Sequence, residues 1–230
     1  MAVDIAVLCT NGVKEVVLEL FPAFERASGH KLAVTYGPTA GIMNKLKEGV
    51  TADAFVLTAE AIEDLVKQGK AAAGTRADLA RSFIGVAVRK GAPHPDISTM
   101  EKLKQALLAA KSVAYSKLGI SGLYFPTVLQ RLGIEEEIKC KTVLPEGVPV
   151  GVALARGDAE LGIQQISELL PVEGVEVVGP FPDGVQKVTV FSAAVSAAAK
   201  EPGAARALVK FLADGFKPDK LRKWGLEPAR

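Results

Sequence analysis

Val3–Leu46 reads VDIAVLCTNGVKEVVLELFPAFERASGHKLAVTYGPTAGIMNKL, and two different periods alternate within it. Val3–Leu8 is a short apolar run closed by a polar turn at Thr10-Asn11-Gly12, the pattern of a buried strand. Val13, Val16, Val17, Leu20, Phe21 and Phe24 then recur at helical spacing, so that one face of a helix is apolar. Asn11 is expected as the N-cap of that helix and Gly29 as its end. Lys31–Tyr36 is a second strand, and Pro38-Thr39 leads into a helix bearing Ile42 and Leu46. Each helix carries the chain back along the sheet, so successive strands run parallel.

The same unit recurs outward from this stretch. Ala54–Leu57 is a strand that passes through Thr58 into a helix with Ile62, Leu65 and Val66. Phe83–Val88 is a longer β-branched run. Ser98 and Glu101 form a capping box before Leu103, Leu107 and Leu108. Val113–Tyr115 is a strand running into Ser116–Ser121, and Gly122 opens a helix carrying Phe125, Val128, Leu129 and Leu132. Lys139–Leu144 reads as a strand, Val148–Ala155 as a helix, and Leu161–Gln164 and Val175–Val178 as strands. The apolar run Lys187–Val195 precedes two terminal helices with Pro202 and Pro218 at their starts. No Gly-, Pro- or Ser-rich linker divides the halves. The chain is therefore expected to cross between two α/β lobes along extended strands, outward at Phe83–Val88 and back at Lys187–Val195. Lobe one is then 1–82 with 193–230, and lobe two is 83–192.

Composition narrows the function. Of 230 residues, 28 are Lys or Arg and 26 are Asp or Glu, a net charge of +2 that implies neither nucleic acid nor an anionic membrane. Aromatic residues are 6%, too few for a base-stacking surface. Cys9 and Cys140 form no CxxC pair and are read as free thiols. His30 and His94 sit in surface loops, so no metal and no other cofactor is expected. Neither GxSxG nor a Walker loop occurs. Glu135-Glu136-Glu137 is a solvated face. No apolar run is long enough to span a bilayer, and no signal peptide is visible because Asp4 follows Met1 so closely. The protein is expected to be periplasmic if a leader has been removed, and cytoplasmic otherwise.

Chemistry gathers at the carboxyl ends of the strands, where open parallel sheets bind ligands. Those ends read Cys9-Thr10-Asn11-Gly12, Gly37-Pro38-Thr39-Ala40-Gly41, Leu57-Thr58-Ala59, Ser116 to Gly122, and Gln164-Gln165. They are small, hydroxylated or amide-bearing, and free of acidic residues. Backbone N–H groups at helix starts make such an edge suitable for an anion. Taken singly, Thr10, Thr39, Thr58 and Ser121 also fit plain N-caps. Lys117 is the one cation close to the edge, and it points either to the ligand or to solvent. The charge of the ligand is expected to be met mainly by amides near Asn11, Thr39 and Ser121, since the arginines fall elsewhere.

LFPAFERASGHKLAVTYG (20–37), KLKEGVTADAFVL (45–57), ISGLYFPTVLQRLGI (120–134), VALARGDAELGI (152–163) and GVEVVGPFP (174–182) together resemble the molybdate-binding members of the type 2 periplasmic binding proteins. The likeness runs from about Val3 to Trp224. It implies a two-lobed α/β fold with two crossover strands and a ligand cleft between the lobes. It also implies binding positions: Asn11-Gly12, Pro38-Thr39-Ala40, Thr58, Ser121-Gly122, Gly147-Val148 and Gln165. The family's first serine falls on Gly12, its second-loop serines on Pro38 and Thr39, and its binding tyrosine on Gln165. A glutamine presents an acceptor as well as donors. These departures point from molybdate towards an organic carboxylate or another oxyanion.

Two functions remain open on this reading. One is a monomeric binding protein for a small anion, closing by hinge motion and serving the membrane subunits of an ABC importer if exported. The other is an isomerase of a small unsaturated polycarboxylate, as some molybdate-like proteins are aconitate isomerases. The isomerase needs a proton acceptor, for which Cys9, Lys117, Tyr115 and Tyr36 are the candidates.

Overall fold

A computed structural model describes residues 2–229. The chain divides into two compact units, Met1–Ser82 with Thr189–Arg230, and Phe83–Val188.

The first unit opens with β1 (Asp4–Thr10), a single 3-10 turn at Asn11–Val13, α1 (Lys14–Ser28), β2 (Lys31–Gly37), α2 (Thr39–Lys47), β3 (Ala54–Thr58), α3 (Ala59–Lys67) and β4 (Ala77–Ser82). The chain returns to it as β10 (Thr189–Val195), α9 (Pro202–Gly215), α10 (Pro218–Lys223) and β11 (Glu227–Pro228). The sheet order is β11-β4-β10-β3-β1-β2. β1 pairs in parallel with β2 and β3, whereas β10 runs antiparallel to both β3 and β4. Both faces of the sheet are covered. Ile5, Val7, Cys9 and Val56 pack with Val16, Val17, Leu20 and Phe24 of α1 and Leu208 and Leu212 of α9. Leu8, Phe55 and Leu57, of opposite parity, pack with Ile42 of α2 and with Ile62 and Leu65 of α3. Burial on both faces explains why β1 and β3 read as apolar runs rather than as alternating strands.

The second unit contains β5 (Ile84–Arg89), α4 (Met100–Ala109), β6 (Val113–Tyr115), α5 (Ile120–Leu132), α6 (Glu135–Lys139), β7 (Thr142–Val143), α7 (Val150–Arg156), β8 (Leu161–Gln165), α8 (Ile166–Leu169) and β9 (Val175–Pro180). Its sheet order is β7-β6-β8-β5-β9. β6 is parallel to β7 and β8, and β5 is antiparallel to β8 and β9. Ile84, Val86, Leu161 and Ile163 face Leu103, Leu107, Phe125 and Val128. Ala87 and Ala114 face Val150, Leu154 and Leu169.

Several local expectations are corrected. Asn11 begins the 3-10 turn and does not cap α1, whose N-cap is Val13 without a side-chain bond; Gly29 does end the helix, at φ 74°. Thr99, not Ser98, caps α4 by accepting from the Lys102 N–H at 3.2 Å, because Ser98 is turned to Asp96. Lys139–Leu144 is not one strand: Ile134 and Ile138 are buried as a helical pair, which draws Glu135–Lys139 into α6 and leaves only Thr142–Val143 extended. β4 escaped the sequence reading because ADLARS lacks β-branched residues; its pairing with β10 decides it. Residues 189–192, expected in the second lobe, pair with β3 and β4 in the first unit.

Candidate functional site

In the first unit the parallel strands β1, β2 and β3 finish at one edge. Thr10 ends β1, in register with Gly37 at the end of β2, and Thr39 opens α2 just beyond. Both threonines are buried, and the Thr39 hydroxyl donates to Thr10 Oγ1 at 3.1 Å. Thr58 ends β3, and its Oγ1 accepts from the Ala61 N–H at 3.3 Å, so it is a working N-cap of α3. Gly12 lies against the ring of Phe191, which a Cβ at that position would overlap. Asn11 and Ala40 are half-buried at the same edge.

The second unit has a matching edge, since β6, β7 and β8 are parallel neighbours. After β6, Ser116 Oγ accepts from the N–H groups of Leu118 and Gly119 at 3.3 and 3.0 Å, folding the chain into the start of α5. Gly119 is the N-cap and supplies no side-chain bond. Ser121, in the first turn, is 1% exposed, and its Oγ has no hydrogen-bond partner among the described residues. Gly122 lies on the Ser116 backbone so closely that a Cβ would overlap the Ser116 carbonyl oxygen. The helix therefore starts two residues before Gly122, which is required for close approach and not as the opening residue. Gly147 (φ 71°) and half-buried Val148 lie between β7 and α7. Gln165, 1% exposed, is the last residue of β8.

Lys117 forms a 3.2 Å ion pair with Glu146, and both side chains are largely exposed. The other proton-acceptor candidates are poorly placed. Cys9 is a core residue whose thiol is pushed far up by burial. Tyr36 is raised to about 12, by burial first and then by nearby Cys9 and Glu15. Tyr115 packs edge-on against Phe125 at 5.1 Å. Cys9 and Cys140 are not joined to each other. Among the described residues no group of His, Cys, Asp and Glu is arranged to hold a metal.

One acidic residue lies just beyond the segments expected to bind. Glu168 lies in α8, three residues past the end of β8, and its Oε2 accepts from Gln164 Nε2 at 3.0 Å. Burial is the main force on its carboxyl, pushing it up to about 7 against the smaller downward pull of the Gln164 hydrogen bond. The signal available in the sequence was QQISE (164–168), a glutamine and a glutamate four residues apart across a strand-to-helix turn.

Residues 5–227 match the family described as bacterial extracellular solute-binding protein. The chain belongs to this family. It is 40% identical to an aconitate isomerase from Pseudomonas sp, covering 97% of this chain and 87% of that protein. It is 27% identical to the molybdate-binding protein ModA of Azotobacter vinelandii, over 88% of this chain and 81% of the relative. The solved Azotobacter vinelandii periplasmic molybdate-binding protein superposes with a TM-score of 0.77 at 18% identity, covering 98% of this chain and all of that one. The fold is thus that of the type 2 periplasmic binding proteins, the α/β class expected from the strand and helix order.

Proposed function

We propose that the chain binds a small unsaturated polycarboxylate of the aconitate type and interconverts its isomers. The observation that carries the anion site is Ser121: a buried hydroxyl without a partner among the described residues, in the first turn of a 13-residue helix, where amides and helix dipole favour negative charge. The ligand class is supported by the relative of 40% identity. In this reading the ligand-contacting residues are Thr10, Asn11, Gly12, Thr39, Ala40 and Thr58 in the first unit, and Ser121, Gly122, Gly147, Val148 and Gln165 in the second. Hinge motion admits and releases it, and no metal takes part. Lys117, held by Glu146, stays at the rim. The test is to incubate the purified protein with trans-aconitate and follow the cis isomer by proton NMR, with titration calorimetry for affinity. Appearance of the cis isomer above the protein-free rate is expected; neither binding nor conversion would remove this reading.

A second reading is favoured by the family description and the molybdate-binding relatives. Here the chain is a monomeric periplasmic carrier that delivers an anion to ABC-type membrane subunits. Tight binding of an organic anion with no conversion in the same experiment selects it.

A further inference from the structure

We propose that Glu168 is the proton-transfer residue of the isomerisation, held in place by Gln164. This role rests on the isomerase reading above. Glu168 is a carboxylate three residues past the end of β8, the edge at which open α/β sheets bind ligands. β8 ends at Gln165, and the chain turns at once into the short helix that carries Glu168. Gln164 projects from β8 on the same side as Gly162, where a Cβ would meet Val150 and Leu154 of α7. Glu168 therefore sits on the α7 side of the strand end. Gln165 projects to the α5 side, with Ile163 and Leu161, towards the helix that begins beside Ser121.

A carboxylate that serves only the fold looks different in this protein. Asp53, which is buried, accepts from the backbone N–H groups of Ala6 at 2.8 Å and Lys200 at 2.7 Å, one on each oxygen. It ties three segments together. Among the described residues Glu168 accepts one bond, from a neutral side chain, and that bond joins only its own turn. A partly buried carboxyl with so little support costs stability. Such costs are retained where a group is used. The Gln164 amide adds a second sign. Its nitrogen is committed to Glu168, and its carbonyl oxygen, in a side chain 5% exposed, has no partner among the described residues. A buried acceptor left open beside a half-buried carboxyl suits a bound organic acid that brings its own hydroxyl, retained proton or ordered water.

The step balances without any co-reactant. Ionised Glu168 takes a proton from the methylene carbon next to the double bond. The C–H electron pair becomes the new carbon–carbon double bond, and the old π pair accepts the same proton from Glu168 at the far carbon. The former methylene carbon is then sp² and its new geometry is cis or trans. A carboxyl titrating near neutrality suits a group that must both take and return a proton.

The test compares wild type, Glu168→Gln, Glu168→Asp and Gln164→Leu on trans-aconitate, by NMR turnover and by calorimetric affinity, with melting curves to confirm folding. The expected result for Glu168→Gln is a loss of kcat of at least 100-fold, with Kd within about threefold of wild type. Glu168→Asp, which keeps the acid on a shorter arm, should recover part of that kcat if the glutamine variant is lost to misfolding. Gln164→Leu should lower kcat more than it raises KM, as befits a positioning residue. Wild-type turnover that survives in folded Glu168→Gln overturns the proposal and leaves the isomerase reading standing. Wild type that fails to convert trans-aconitate removes that reading, and this role with it.

Discussion

A carboxylate placed at position 121 would face the amides that open α5 with the wrong charge. Ser121→Asp is expected to weaken binding of the native anion by tenfold or more, about 1.4 kcal/mol. Ser121→Ala should cost less, because the backbone N–H groups remain; unchanged affinity in a folded Ser121→Asp protein, by titration calorimetry, would rule out this site. Glu168 makes a prediction of opposite sense for stability. Its native pKa is raised to about 7, so the unfolded chain releases this proton near pH 4.5 and the native chain only near pH 7. Across that window the unfolded state binds fewer protons, and stability falls as pH rises. Glu168→Gln should therefore melt higher than wild type at pH 8 and nearly equal to it at pH 4.5. Scanning calorimetry at both values checks this, and an equal difference at both would contradict it. Much of this scale was legible in the chain. Polarity after an apolar run marks Thr10, Thr58 and Gln165 as strand ends and Thr39 and Ser121 as helix starts. It does not mark Glu168, because nothing in a single glutamate shows that its turn folds back onto Gln164.

At the scale of elements, periodicity placed β1, α1, β2, α2, β3, α3 and α5 to within a few residues, because each buries an apolar face of fixed period. Failures came where tertiary pairing outweighs local pattern. β4 is a strand through β10, and Lys139–Leu144 is broken by the burial of Ile138. Asp53 belongs to this scale too. It stands at the entrance to β3 and fastens it to β1 and to the turn after β10. Hydrogen bonds to a charged group are worth roughly 1.5–3 kcal/mol each, and two part-buried N–H groups would lose their acceptor in Asp53→Ala. The substitution should destabilise the protein by at least about 2 kcal/mol in chemical denaturation while leaving the ligand affinity of the folded fraction unchanged. A loss below about 0.5 kcal/mol would show that the two amides find other partners.

At the scale of the whole molecule, the two-unit plan followed from long β-branched runs in place of a linker, but its return boundary did not. Lys187–Val195 is uniformly apolar, so nothing in it marks residue 189 as the point where pairing with β3 and β4 begins. That pairing has an outcome of its own. β10 lies between β3 and β4 in the sheet, so a chain ending at 188 leaves β4 detached from β3-β1-β2. A fragment of residues 83–188 is expected to unfold cooperatively by itself, while a fragment of residues 1–188 should show amide protection in 83–188 only. Protection of β1 and β3 in the longer fragment would refute this. During synthesis the same geometry fixes an order. Residues 83–188 can fold while the chain is still tethered to the ribosome, whereas β1 to β4 must wait, exposed, until β10 has cleared the exit tunnel. Strands β1 to β4 are thus the segment most in need of a chaperone.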